Sequence, residues 1–330
     1  MKVKYDDNPQ ILNNFLNYLL VVRNYSETTV KSYNLDIIIF FKFIKDYFDI
    51  QLDVKDFNIF TLANIKESDI IAFLIYLNFN RDNTANTRDR KLASIKCFFK
   101  WLFKTNPSMF YSKVHPAKEI PKTQKVMRLP KHLNLKNAKK MQSIFNVTNS
   151  KFAIRNNTII TLFLDTAIRI SELVNIDLVD INFKERKINI ERGKGGKQRT
   201  VYFSEHTKQQ LLKYLKIRNR NKKVVNINEA LFLSLRDKKM GVRAVQEICK
   251  NAFKLAGLEN YNYTSHSLRH TVATLLYQYG QIDIRTIQVV LGHSSIKSTE
   301  IYTHTYSEVA KKAMDRHPLN NYHKNEIEIA

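Results

Sequence analysis

A chain of 330 residues is longer than one small domain needs and long enough for two with cores of their own. Apolar and charged fractions of 44% and 25% are those of a globular protein in water, and two isolated cysteines, Cys97 and Cys249, exclude a disulfide framework or a cysteine zinc site. A net charge of +24 points instead to a polyanionic partner, and the excess is uneven, with 19 basic against 13 acidic residues in 1–126 and 35 against 17 in 127–330.

Apolar runs such as Ile37-Ile38-Ile39-Phe40-Phe41 fall well short of the roughly 20 residues that cross a bilayer, so no membrane role is expected. The opening MKVKYDDNPQ lacks the apolar stretch of a signal peptide, which makes the cytoplasm the expected location.

The first unit reads as four helices. Leu12, Phe15, Leu16, Leu19 and Leu20 recur at helical spacing. Ser26 is a helix start for a long segment through Tyr33, Ile37, Phe40 and Ile44. A third helix is predicted over Ser68 to Leu77 and a fourth from about Thr84 to Phe103, with Leu92, Ile95, Phe99 and Leu102 inward and Arg88, Lys91 and Lys96 outward. The stretch from Asp46 to Lys66 carries no readable pattern. Phe98, Phe99 and Trp101 fit a core better than a base-stacking platform.

Four of the six prolines, Pro107, Pro116, Pro121 and Pro130, crowd together, and a residue that lacks an N–H and fixes φ favours an extended linker. The predicted division is therefore a helical unit over 1–112, a linker over 113–130 and a second unit over 131–330.

The second unit is mixed α/β. Helical patterns occupy about 134–145, 152–165, 171–176, 205–218, 241–256, 267–279 and 283–291. Between them KINIERGKGGKQRTVYF reads as a hairpin, with Ile188 and Ile190 alternating before a glycine-rich turn and Val201 and Phe203 after it. The fold class is thus mostly α with a small β component.

Four segments of this unit belong together: TAIRISEL (166–173), RGKGGKQR (192–199), HSLRHT (266–271) and LGHSSIKSTEIYTH (291–304). Each alone is weak. In this order and spacing they resemble the signature of the tyrosine recombinase (phage integrase) family, most closely its Xer-like branch: an arginine, a lysine on a hairpin, His-x-x-Arg, a second histidine and a tyrosine. Glu172 sits three residues after Arg169, and Tyr302 nine after His293. The first unit resembles the family's four-helix, SAM-like core-binding domain, with SETTVKSY and TRDRKLASIKCFFKWL in typical places.

The resemblance implies an enzyme that breaks and rejoins double-stranded DNA without metal, ATP or other cofactor. Attack on a phosphodiester builds negative charge on the non-bridging oxygens, which permanently charged, bidentate guanidinium groups can neutralise. Arg169 and Arg269 are the expected clamp. His266 and His293 are implied to add hydrogen bonds, with His266 a candidate base, and Lys194 to protonate the leaving 5′ oxygen. Glu172 is expected to orient the site. Tyr302 is the expected nucleophile, forming a 3′-phosphotyrosyl bond that conserves the energy of the broken linkage. Lys197 or Arg199 remains an alternative for the hairpin lysine, and Tyr306 for the nucleophile. His270 is expected to be a buried support.

Candidate DNA-contacting residues are Thr29, Arg88, Lys91 and Lys96 in the first unit and Lys197 and Arg199 in the second. The family pattern further implies that the two units together clamp duplex DNA, that a homo-oligomer reaches four protomers in the synapse, and that 307–320 docks on a neighbour. A related second recombinase as partner is left open. Ala167 stands where the family commonly has glycine. A type IB topoisomerase and a DNA-binding protein without catalytic activity are the alternatives, the former disfavoured by the separate helical domain.

Overall fold

The computed structural model describes residues 5–110, 114–124, 130–148, 150, 152–190, 198–218, 229–280 and 282–292. The chain divides into two compact units, Met1–Met127 and Arg128–Ala330.

The first unit is helical, as its periodicity predicts. Helix α1 (Gln10–Asn17) runs into a π-helical turn (Tyr18–Val22), followed by α2 (Glu27–Tyr47). A short α3 (Ile59–Ala63) precedes α4 (Glu67–Phe79) and α5 (Ala85–Thr105). Ser26 and Thr84 cap α2 and α5, their hydroxyls accepting from the amides of Thr29 at 3.2 Å and Thr87 at 3.4 Å. The core is aromatic. Phe40 meets Phe73 edge-on at 5.1 Å between ring centroids, and Phe41 meets Phe98 at 5.6 Å. Phe98 and Phe99 are fully buried, and Trp101 packs on Phe15 at 5.4 Å.

The unreadable 46–66 stretch supplies α3. Asn58 caps it by accepting from the amides of Phe60 and Thr61, and Phe57 and Leu62 anchor it in the core. Residues 114–124 pack on this unit instead of running free. Ala117 and Ile120 join its core, and Lys96 Nζ donates to the carbonyls of Lys118 at 3.1 Å and Ile120 at 2.6 Å.

Lys91 corrects an expectation of the helical wheel. It is only 6% exposed and points inward, where its ammonium meets the still more deeply buried Asp36 at 3.2 Å. Asp36 also accepts from Arg90 and, at 2.8 Å, from Ser94. A buried charge persists only when paired, and this carboxylate on α2 is what draws Lys91 off the solvent face.

The second unit is built around α7 (Ala153–Thr166), which packs against α6 (Leu135–Gln142) and has little solvent-facing surface. Its buried polar residues are satisfied locally: Asn157 accepts from the Phe145 amide, and Thr158 donates to the Ile154 carbonyl. A short α8 (Ile170–Leu173) leads to an antiparallel sheet of β1 (Ile181–Asn182), β2 (Lys187–Ile190) and β3 (Arg199–Tyr202), in the order β1-β2-β3.

In the sheet, Ile188 pairs with Val201 and Ile190 with Arg199. The alternation holds, since Ile188, Ile190, Val201 and Phe203 are all buried. Helices α9 (Glu205–Arg218), α10 (Val242–Leu255), α11 (Ser265–Gln278) and α12 (Ile284–Leu291) complete the unit. Among the described residues, no helix is long and apolar enough to cross a membrane.

Candidate active site

The site begins where α7 stops. Ala167 caps that helix in the left-handed conformation, φ +51°, its amide donating to the Phe163 carbonyl at 3.1 Å. The turn redirects the chain so that Arg169 is extended and opens α8. Glu172, one turn later, reaches back to accept from the Arg169 amide at 2.9 Å and from its Nη1 at 2.7 Å.

Three guanidinium groups then converge on the C-terminal end of α12. Arg199 Nη1 donates to the Val290 carbonyl at 2.9 Å, Arg269 Nη2 to the Leu291 carbonyl, and Arg169 Nη2 to the Gly292 carbonyl at 3.0 Å. The last carbonyls of a helix lack intrahelical partners and carry its negative dipole end, so cations belong there. Arg269 comes from α11, is 5% exposed, and also donates to the Ala167 carbonyl at 2.6 Å. The left-handed turn of Ala167 is thus tied to the second arginine. Arg169 keeps 20% of its side chain exposed, which leaves it an edge toward solvent.

Glu172 sits under this set, 2% exposed. Arg199 Nη2 meets Oε2, the oxygen that also accepts from the Arg169 amide, at 2.8 Å. Burial alone raises the carboxyl pKa, but the hydrogen bonds from Arg199 and Arg169 and the Arg199 charge outweigh it and hold Glu172 below its ordinary value, ionised.

His266 is exposed at the start of α11, one turn before Arg269, where a substrate can reach it. His270, the next turn on, is partly buried, and burial together with the charges of His266, Arg269 and His132 lowers its pKa to about 4. The sequence suggests a buried support, and the ring is half-buried. Gly292 ends α12 at φ +60°, and a Cβ placed there would stand 2.7 Å from Arg199 Cδ. Glycine suits this position for both the backbone conformation and the room it leaves the Arg199 stem. Lys194, Lys197, His293, Tyr302 and the alternative Tyr306 lie outside the described residues.

The candidate DNA contacts of the first unit have partners inside the protein. Thr29 shares its hydroxyl with Ser26 at 2.9 Å in the α2 cap. Arg88 donates to Asn78 Oδ1 and the Asn83 carbonyl, each at 2.6 Å, and Lys96 holds the 118–120 carbonyls described above. Arg199, grouped from sequence with the DNA contacts, is instead engaged by Glu172 and Val290. The signal that marks it is strand alternation: two residues before Val201 and four before Phe203, it shares their inward face. Among the described residues, no three His, Cys, Asp or Glu side chains come together in a set that could hold a metal ion.

Comparison with known proteins matches both units. The phage integrase family profile covers residues 135–308, and that of the phage integrase N-terminal SAM-like domain covers 12–106. The chain is 40% identical to tyrosine recombinase XerC of Caldanaerobacter subterraneus subsp. tengcongensis, over 94% of this chain and 88% of that protein. It is 32% identical to tyrosine recombinase XerC of Leptospira interrogans, over 92% of each. Among solved structures, XerH site-specific recombinase bound to palindromic difH in a post-cleavage complex shares the fold, with a TM-score of 0.69 at 24% identity over 89% of this chain and 81% of that one. With both units matched and a relative this similar along nearly its whole length, the chain belongs to the tyrosine recombinases of the phage integrase family.

Proposed function

We propose that this recombinase cuts and rejoins duplex DNA through a covalent bond to Tyr302. The Tyr302 oxygen attacks a backbone phosphorus, the bond to the 5′ oxygen breaks, and a 3′-phosphotyrosyl linkage and a free 5′ hydroxyl result. His266 takes the tyrosine proton, and Lys194 gives one to the departing oxygen. Arg169 and Arg269, with His293, bind the non-bridging oxygens as their charge grows. Attack by the 5′ hydroxyl of another strand reverses the step and completes an exchange. Four protomers assembled on two sites perform it in pairs, with 307–320 linking neighbours.

The observation that carries this reading is the placement of Arg169 and Arg269 on adjacent carbonyls, Gly292 and Leu291, immediately before His293 in the chain. Two fixed guanidinium groups at one point suit a phosphate better than either would alone. The high positive charge of the second unit supports the same partner.

A nicked suicide substrate carrying the recombination site tests the chemistry, because loss of the short 5′ fragment traps the adduct. Wild type is expected to give a covalent complex that survives denaturing electrophoresis, and Tyr302→Phe none. No adduct with wild type, or an adduct with Tyr302→Phe, overturns the mechanism. Relaxation of plasmids lacking any site would instead point to topoisomerase activity.

A further inference from the structure

We infer that Arg199 is a positioning residue of the cleavage reaction, joining the base of the Lys194 hairpin to the first arginine and to the turn before His293. The inference rests on the reaction proposed above and assigns a residue to it that the family signature does not contain.

Three contacts define the position. Arg199 opens β3, the strand that leaves the hairpin segment, and faces inward beside Val201 and Phe203. Its Nη2 meets Glu172 Oε2 at 2.8 Å, with Nε at 3.4 Å from Oε1. Its Nη1 donates to the Val290 carbonyl at 2.9 Å, and its aliphatic stem fills the space that a side chain at Gly292 would need. One side chain thus bridges β3, α8 and the end of α12. These are the elements that lead to Lys194, carry Arg169 and lead to His293.

Charge gives the bridge its consequence. Glu172 is buried and ionised beside Arg169, the guanidinium meant for the phosphate. Alone with Glu172, Arg169 would form a pair without net charge and be drawn toward the carboxylate. Arg199 takes up the other carboxylate oxygen, so Arg169 retains both its hold on Gly292 and its attraction for an anion. A lysine can replace the charge but not the geometry, since one ammonium on a flexible stem does not span Glu172 and Val290 as a planar fork does.

The test is single-turnover adduct formation on the nicked suicide substrate, measured at saturating DNA beside the affinity and its salt dependence. Arg199→Gln is expected to slow the saturated rate at least about thirtyfold while leaving the affinity within about threefold. The slope of log affinity against log salt should not move. Arg199→Lys is expected to recover about tenfold of that loss. A residue that contacted DNA would do the reverse, preserving the saturated rate and reducing the slope by about 0.9 for the lost phosphate.

Should Arg199→Gln fail to fold, Gly292→Ala keeps every charge and displaces the Arg199 stem, and it should show the same split. In an Arg199→Ala background Gly292→Ala should slow the saturated rate little further, the backbone strain at φ +60° showing in stability instead. An unchanged saturated rate in Arg199→Gln or in Gly292→Ala, or full additivity of Gly292→Ala with Arg199→Ala in the rate, overturns the inference while a cleaving wild type leaves the reaction standing. A wild type that forms no adduct overturns both.

Discussion

Arg169 and Gly292 lie 123 positions apart in sequence and are joined by a 3.0 Å hydrogen bond from guanidinium to carbonyl. The first arginine of the signature is therefore anchored on the residue that precedes its second histidine. Arg269 does the same one carbonyl earlier and reaches back to Ala167. Two of the groups proposed to bind phosphate are thus also structural ties that hold α12 in place. Changes to them should register in stability as well as in chemistry.

Arg269→Ala is the sharper case. It strands the Ala167 and Leu291 carbonyls in a buried site, and an unsatisfied buried acceptor costs about 1–3 kcal/mol. Loss of a donor at the developing charge should cut adduct formation by a further factor of about a hundred or more. Denaturant melts of the full chain and single-turnover cleavage measure the two effects separately. Melts identical to wild type would mean that Arg269 carries no structural load.

Lys91→Met should act on stability and not on DNA. The lysine faces Asp36 in the interior, and removing one partner of a buried pair costs about 3–5 kcal/mol; here the low end applies, because Arg90 and Ser94 still donate to Asp36. The salt slope of DNA binding should be unchanged. A slope reduced by about 0.9 with normal melts would return Lys91 to the DNA-contacting set.

Lys91 also shows where sequence reading stops. Helices α2 and α5 were legible because Ser26 and Thr84 announce their starts and apolar residues repeat at helical spacing, and the hairpin because Ile188, Ile190, Val201 and Phe203 alternate. These signals are local. The inward turn of Lys91 depends on a carboxylate 55 positions away, and the role of Arg199 depends on Glu172 and Val290, 27 and 91 positions away. Motif order nominates Arg169, Glu172, His266 and Arg269 as candidates, since the chemistry calls for particular residue types. That the end of α12 anchors Arg169, Arg199 and Arg269 could not be read there, because backbone carbonyls leave no mark in a sequence. Gly292 is the partial exception, its glycine recording both the positive φ and the close approach of Arg199.

Stability should fall on mild acidification, and His270 is the cause to test. Its pKa in the folded chain is about 4 against an ordinary 6.5, lowered by burial and by its cationic neighbours. The unfolded chain therefore takes up a proton between 6.5 and about 4 that the folded chain does not, and stability declines as pH falls through that window. Glu172 acts lower. Its pKa is depressed from 4.5, so the stability it contributes is present above that value and lost as pH falls further. His270→Gln should flatten the decline between 6.5 and 4 in pH-dependent melts and leave the more acidic loss intact. An unaltered profile would show that His270 is not held neutral.

Ala167 tests the turn that starts the site. An L-residue pays about 1–2 kcal/mol in the left-handed region, which glycine avoids. Against that, the Ala167 methyl is fully buried among Val272, Ala273, Ile287 and Leu291, worth about 0.8 kcal/mol, and glycine gains about 0.4–1 kcal/mol of freedom in the unfolded chain. The opposing effects nearly cancel, so Ala167→Gly should melt within about 1 kcal/mol of wild type and cleave at the same rate. Ala167→Val keeps the positive φ and adds a branched Cβ that the conformation rejects, costing about 2 kcal/mol or more. Because the Ala167 carbonyl accepts from Arg269, a distorted turn should also slow adduct formation. Valine at normal stability and normal rate would mean that the turn neither strains the chain nor positions the second arginine.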